Sequence, residues 1–93
     1  MSRPAAAALI AAASLIPALA LASPVCTKEP QSKWIPEAQM KERIAKMGYQ
    51  RIKVFKKTSA GCYEIYGHNA KGARVEVYFN PVTGAIVREN IDD

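Results

Sequence analysis

Residues 36–57 read PEAQMKERIAKMGYQRIKVFKK, and two periodicities meet inside them. Before Gly48, the apolar residues Met40, Ile44 and Met47 recur at spacings of four and three, with Ala38 and Ala45 beside them. That spacing forms one helical stripe, while Lys41, Glu42, Arg43 and Lys46 make the wet side. Pro36 stands where a first helical turn tolerates it, and Glu37 lies near the positive end of the helix dipole. Gly48 stops the helix as a left-handed cap would. The spacing therefore predicts a helix over 36–47. After Gly48 the period shortens to two. Gln50 to Lys57 alternates, with Ile52 and Val54 assigned to one face and Arg51, Lys53 and Phe55 to the other.

Toward the C-terminus the period of two returns. Thr58-Ser59-Ala60-Gly61 reads as a loop. Cys62 to Gly67 then sets Tyr63 and Ile65 against Cys62, Glu64 and Tyr66. His68-Asn69-Ala70-Lys71-Gly72 is rich in turn formers and joins a hairpin. Ala73 to Phe79 sets Val75, Val77 and Phe79 against Arg74, Glu76 and Tyr78. Asn80-Pro81-Val82-Thr83-Gly84 is a further turn, and Ala85 to Glu89 supplies a short fourth strand through Ile86 and Val87. Neither a lone helix nor a hairpin buries its own apolar face. Packing the Met40/Ile44/Met47 stripe on Ile52, Val54, Ile65, Val75 and Val77 satisfies both. The expected fold is α+β: one α-helix on one face of a three- to four-stranded antiparallel sheet. The other face keeps Arg51, Lys53, Phe55, Glu64, Tyr66, Arg74, Glu76 and Tyr78.

Toward the N-terminus, residues 23–35 hold Pro24, Pro30, Lys28, Glu29 and Ser32 and read as an irregular arm before a domain over 36–91. Residues 1–22 read as a secretory signal peptide. Arg3 supplies the basic start, Ala5 to Ala22 the apolar run, and Ala18-Leu19-Ala20 followed by Ala20-Leu21-Ala22 the small-residue ending. Pro17 ends the apolar helix just before the cut. Cleavage between Ala22 and Ser23 is preferred, with cleavage after Ala20 second. An uncleaved anchor is disfavoured, because the run is Ala-rich and interrupted by Pro17. A lipoprotein is disfavoured because Ser23-Pro24-Val25 lacks the small residue directly before Cys26. The chain is thus expected to be periplasmic or secreted by bacterial export, with no stable membrane anchor once cleaved.

Cleavage would leave 71 of the 93 residues, enough for one domain. Both cysteines, Cys26 and Cys62, lie in that part. Two cysteines in a short exported chain read as one disulfide, with two free thiols or an intermolecular pair as the alternatives. A loop of that size is worth about 4 kcal/mol in the chain-entropy model. Setting Arg3 aside, 12 Lys and Arg stand against 8 Asp and Glu, a net of +4. Such a balance is compatible with acidic proteins, anionic surfaces or phosphate and specifies none of them.

The order of motifs resembles the PepSY family, and more narrowly its small stand-alone exported members. The likeness is carried by a Cys-containing arm, Lys33-Trp34, a helix ending in Met47-Gly48-Tyr49, Gly61-Cys62-Tyr63-Glu64-Ile65-Tyr66 and the closing Asn80-Pro81-Val82-Thr83-Gly84. It spans about residues 26–90. Pro36 departs from it, where a capping side chain such as Ser is expected. The resemblance implies a non-enzymatic domain that binds or restrains a peptidase, or modulates the protein it accompanies. It brings no invariant site residues.

The residues themselves agree with a lack of catalysis. Hydrolysis needs a nucleophile with a positioned base. His68, the one histidine, falls in a turn and by itself makes neither a triad nor a metal site. There is no C-x-x-C spacing, and no metal or cofactor is expected. Arg51, Lys53, Lys56, Lys57, Lys71 and Arg74 beside Tyr66 and Tyr78 invite comparison with RNA-binding sheets. Glu64 and Glu76 among them would repel phosphate, and cross-strand charge pairing explains the pattern more simply. No nucleic-acid partner is expected. The candidate partner-binding residues are Arg51, Lys53, Tyr66, Arg74 and Tyr78, for a peptidase or another envelope protein. The alternatives are an envelope sensor of a small ligand or ion, or an accessory subunit of a membrane redox or transport protein. Trp34 is expected to serve core packing over ligand contact; which sheet face it and the Cys26 arm cover is left open, with partial cover of the open face following if the disulfide lies on that side. The oligomeric state is left open.

Overall fold

The computed structural model describes residues 23–92. The signal peptide expected over residues 1–22 lies outside the described residues, and of the expected cleavage pair only Ser23 lies inside them. A 3-10 turn, Gln31–Lys33, precedes helix α1, Glu37–Lys46. Four strands follow: β1 Gln50–Lys57, β2 Tyr63–His68, β3 Arg74–Phe79 and β4 Ile86–Asp92. They form one antiparallel sheet in the order β1-β2-β3-β4. This is the expected α+β architecture, and Cys26 and Cys62 are joined by a disulfide with a Cα separation of 5.0 Å. The fourth strand extends to Asp92, beyond the short one expected.

The helix starts at Pro36 without a side-chain cap, and Met40 N–H donates to the Pro36 carbonyl at 2.9 Å. It ends at Gly48, whose φ of 100° suits a residue without Cβ. Two asparagines shape the hairpins. Asn69 Oδ1 accepts from Lys71 N–H and Ala73 N–H, and Asn80 Oδ1 accepts from Val82 N–H and Thr83 N–H. Each replaces a water that an exposed turn amide would otherwise need.

One face of the sheet meets α1. Met40 and Ile44 pack there against Ile65, Val75, Val77 and Phe79, with Ile35 and Tyr49 closing the edges. Each of these side chains contributes about 1.5–3 kcal/mol by leaving water. Tyr63 anchors the entry of the chain, donating from its buried hydroxyl to the Ile35 carbonyl at 2.6 Å. Trp34 packs edge-on to Tyr63 with ring centroids 5.3 Å apart, so it serves the core on the helix face.

Two expectations about the core need correction. Met47 is exposed, and Tyr49, two residues on, enters the core. The stripe ends there because Gly48 reverses the chain before Met47 reaches the sheet. The second concerns the sense of alternation in β1. Directly opposed residues of an antiparallel pair point the same way. Phe55 opposes Ile65 and Val54 opposes Tyr66, so Phe55 faces the helix and Val54 the far side. Val54 is 36% exposed, whereas Ile52, 39% exposed, lines a hollow beside α1 with Phe55 and Ile65, the face expected of it. The larger apolar group prevails: the Phe55 ring lies 5.0 Å from that of Tyr63, with Lys41 Nζ 5.1 Å from its centroid. The register also shifts between Gln50 and Val54, with Arg51 at a left-handed φ of 52°. Such a bulge carries Arg51 out of simple alternation.

Candidate functional site on the open face of the sheet

The start of the N-terminal arm, residues 23–26, and α1 lie on opposite faces. Cys26 N–H donates to the Ala60 carbonyl at 3.1 Å, and Asn80 Nδ2 donates to the Cys26 carbonyl at 3.2 Å. The disulfide pins the arm to Cys62, and Ser23 Oγ reaches Tyr78 Oη at 3.4 Å. Gly61 is where the arm crosses: a Cβ there would collide with the Thr27 carbonyl oxygen. Thus the sequence Gly61-Cys62 both seats and staples the arm.

Beneath it lies Glu64, the one charged residue buried among the described residues, at 3% exposure. Register places Glu64 opposite Tyr78 on β3 and Lys56 on β1. Lys56 Nζ approaches Glu64 Oε1 at 3.7 Å. Glu76, on β3, accepts from Tyr78 Oη at 2.8 Å and from Asn90 Nδ2 at 3.2 Å. Glu64 and Glu76 also influence each other's ionisation. Two carboxyls that interact in this way take up a first proton more readily than one alone.

The surroundings decide where the proton sits. Burial, reinforced by the bond to Glu76, raises the Glu64 pKa above the ordinary carboxyl value, and Lys56 only partly opposes this. Glu76 moves the other way, held ionised by the hydrogen bond from Glu64, then by Tyr78 and Asn90. Glu64 is therefore the member of the pair that holds a proton more readily, and Glu76 the one that gives it up more readily. Tyr78 is pushed up to about 12, chiefly by burial.

The candidate residues named from the sequence fall into three groups. Lys53, Tyr66 and Arg74 line one recess of about 370 Å³, together with His68, Glu76, Asn90 and Asp92. Tyr66 is 43% exposed there, and Arg74 is paired to Asp92 at 3.4 Å. Tyr78 is buried under the arm, next to the recess rather than in it. Arg51 sits in the β1 bulge and does not line the recess. His68 Nδ1 is buried without a hydrogen-bond partner among the described residues. No cluster of three His, Cys, Asp or Glu able to hold a metal occurs among the described residues. None of their helices is long and apolar enough to cross a membrane.

What sequence reasoning missed is the Glu64–Glu76 pair, read there as cross-strand charge pairing. A signal existed. Glu64 shares its alternation with Cys62, so an arm stapled at Cys62 also lies over Glu64. A second hollow, of about 330 Å³, lies between α1 and β1 on the other face and is lined mainly by Ile44, Tyr49, Ile52, Phe55 and Ile65, with Lys41 and Lys53 at its rim.

Fold and face together define a small, disulfide-stapled α+β domain whose polar groups gather on one sheet face. The chain belongs to the PepSY family: the family profile described as peptidase propeptide and YPEB domain matches residues 6–90. Domains of this family are generally non-catalytic and are associated with peptidases or envelope proteins. No curated protein and no solved structure matches the chain.

Proposed function

We propose that this chain is an exported, non-catalytic domain that binds a peptidase or another envelope protein through the uncovered half of its open sheet face. The observation that carries this is the recess holding Lys53, Tyr66 and Arg74, where a half-exposed ring lies among cations beside the arm-covered half. An aromatic ring with Arg beside it is a common composition at protein interfaces. Cleavage after Ala22 and a domain over 36–91 with its arm over 23–35 belong to the same proposal.

The test is crosslinking from a photoreactive residue at position 66 in envelope extract, followed by affinity measurement with the purified captured protein. Tyr66→Ala with Arg74→Glu is expected to weaken that affinity at least tenfold, about 1.4 kcal/mol. An unchanged affinity would remove the recess from the interface. Intact mass of the exported protein tests the cleavage separately.

The apolar hollow between α1 and β1 favours a second reading, a sensor of a small apolar ligand, since ligand sites are commonly of this size and lining. Ile44→Trp would fill it. Loss of binding of an apolar fluorescent probe in that variant supports the sensor reading; an equal signal in both proteins rejects it.

A further inference from the structure

We propose that the hollow between α1 and β1 holds a single-chain anionic amphiphile, its alkyl tail on the apolar walls and its carboxylate at Lys41 and Lys53. This rests on the second reading above, a small apolar ligand in that hollow, and adds the ligand's charge and length.

The hollow exists because α1 does not cover the whole sheet. Met40 and Ile44 pack with Ile65 of β2 and with Val75, Val77 and Phe79 of β3. The residues of β1 that face the helix side are left incompletely covered: Phe55 is only partly buried, and Ile52 is exposed. Between them and the helix lies a volume of about 330 Å³. Its helix wall is Ile44 and the small Ala45, and Ile65 and Phe55 line it from the sheet. Gly67 seats the remaining wall. Ile52 Cδ1 lies 2.9 Å from where a Cβ at 67 would stand, so the Ile52 side chain rests over β2.

The rim supplies the charge. Lys41 and Lys53 line the hollow, and among the described residues neither is in an ion pair. Lys41 Nζ stands 5.1 Å from the Phe55 ring centroid, which holds a cation directly above apolar surface. No described Asp or Glu lines the hollow. Glu37, one turn before Lys41, is paired with Lys57 at 3.2 Å. Tyr49 commits its hydroxyl to Glu89 and offers the hollow its ring. A cleft lined by one sign of charge attracts the opposite sign. A neutral apolar molecule leaves both ammonium groups unanswered, and a cationic one is repelled. An anion with an alkyl tail meets walls and rim together.

Volume sets the length. At about 30 Å³ for each water-sized group, the hollow holds about ten such groups. One chain of about eight carbons therefore fits with its head group at the rim, and a two-chain lipid does not.

The test titrates octanoate, octan-1-ol and octyltrimethylammonium into the exported protein with its disulfide intact, each below its aggregation limit. The methyl shifts of Ile44, Ile52 and Ile65 are followed by NMR. Octanoate is expected to bind about tenfold more tightly than octan-1-ol, with the ammonium weakest. Added salt should weaken octanoate and leave octan-1-ol unchanged. Lengthening heptanoate to octanoate should tighten binding about fourfold. Lys41→Gln with Lys53→Gln should abolish the preference for octanoate over octan-1-ol. Both positions are exposed, so the core is left intact. Lys53 also lines the recess on the other face and Lys41 does not, so Lys41→Gln alone should remove part of the preference without touching the recess. Equal affinities for octanoate and octan-1-ol in the wild type overturn the proposal and leave the apolar-ligand reading standing. Methyl shifts unmoved by all three compounds overturn both. Anionic phospholipid vesicles that move the same methyls as strongly as octanoate overturn the single-chain assignment.

Discussion

The two faces of the sheet are built on the same strands and are covered in opposite ways. The helix face is covered by side chains that leave water willingly: Met40 and Ile44 from α1 over Ile65, Val77 and Phe79. The open face is covered in part by a short arm, where Glu64 and Tyr78 are buried, with Glu76 beside them in the recess. On the first face burial is itself the driving force. On the second, burial opposes the charged state, and a covalent bond at Cys26–Cys62 holds the cover in place. One face is closed by the hydrophobic effect, the other by a staple.

That contrast is broken most severely by removing the staple. Cys26→Ala with Cys62→Ala is expected to destabilise the protein by about 4 kcal/mol, the chain-entropy value for a loop of this size. Urea denaturation measures it. Tyr78 should gain solvent exposure in the variant even below the unfolding transition, while the helix-face ring of Tyr63 stays protected. Equal exposure of the two rings would mean that the staple holds both faces.

Next in size is a pair of truncations on neighbouring strands. Ile65→Ala, at a fully buried position, should cost about 2–5 kcal/mol. Val54→Ala, on the other face of β1, should cost less than about 1 kcal/mol. Denaturation midpoints of the two variants check the corrected sense of alternation. A larger loss at Val54 than at Ile65 would restore the original assignment.

Why that assignment was unreadable is instructive. Simple alternation puts Ile52 and Val54 on one face and Phe55 on the other, but the register shift between Gln50 and Val54 leaves Ile52 and Phe55 together beside α1 and Val54 on the far side. The bulge at Arg51 carries no glycine to announce its positive φ. The helix was legible because Gly48 and the Met40/Ile44 spacing are local signals. The hairpins were legible because Asn69 and Asn80 act on their own backbone. The disulfide followed from counting cysteines in a chain read as exported. Glu64 was different. Alternation puts it on the same face as Cys62, but that face is covered only through a disulfide 36 residues away in sequence, which the strand's own pattern does not announce.

The two faces should also differ in pH sensitivity. Tyr49, at the edge of the helix-face core, donates to Glu89 at 2.7 Å, and burial followed by that bond pushes its pKa from 10.0 to about 12. The folded value lies above the unfolded one. Tyr49 therefore contributes its full stabilisation below pH 10 and loses it progressively as pH rises toward 12. A shift of that size corresponds to about 2–3 kcal/mol. Tyr49→Phe should show a shallower loss of stability across this alkaline window than the wild type. Identical slopes would detach Tyr49 from the alkaline transition.

The smallest expected effect tests how the arm passes between the faces. The chain crosses the sheet end after Thr27 and reaches the core at Ile35, whose carbonyl accepts from Tyr63 Oη and whose N–H donates to the Pro81 carbonyl at 2.7 Å. Tyr63→Phe keeps the ring against Trp34 and Phe55 and removes only the hydroxyl. It leaves one buried carbonyl without that donor, a cost of about 1–2 kcal/mol. The cost should fall on the helix face alone. In the Tyr63→Phe protein, denaturant stability is expected to drop by that amount while the Glu64 carboxyl titration stays where it is in the wild type. A displaced Glu64 titration would show that the bond at Ile35 also positions the arm over the acid pair, and that the two faces are coupled through residues 28–35 as well as through the sheet.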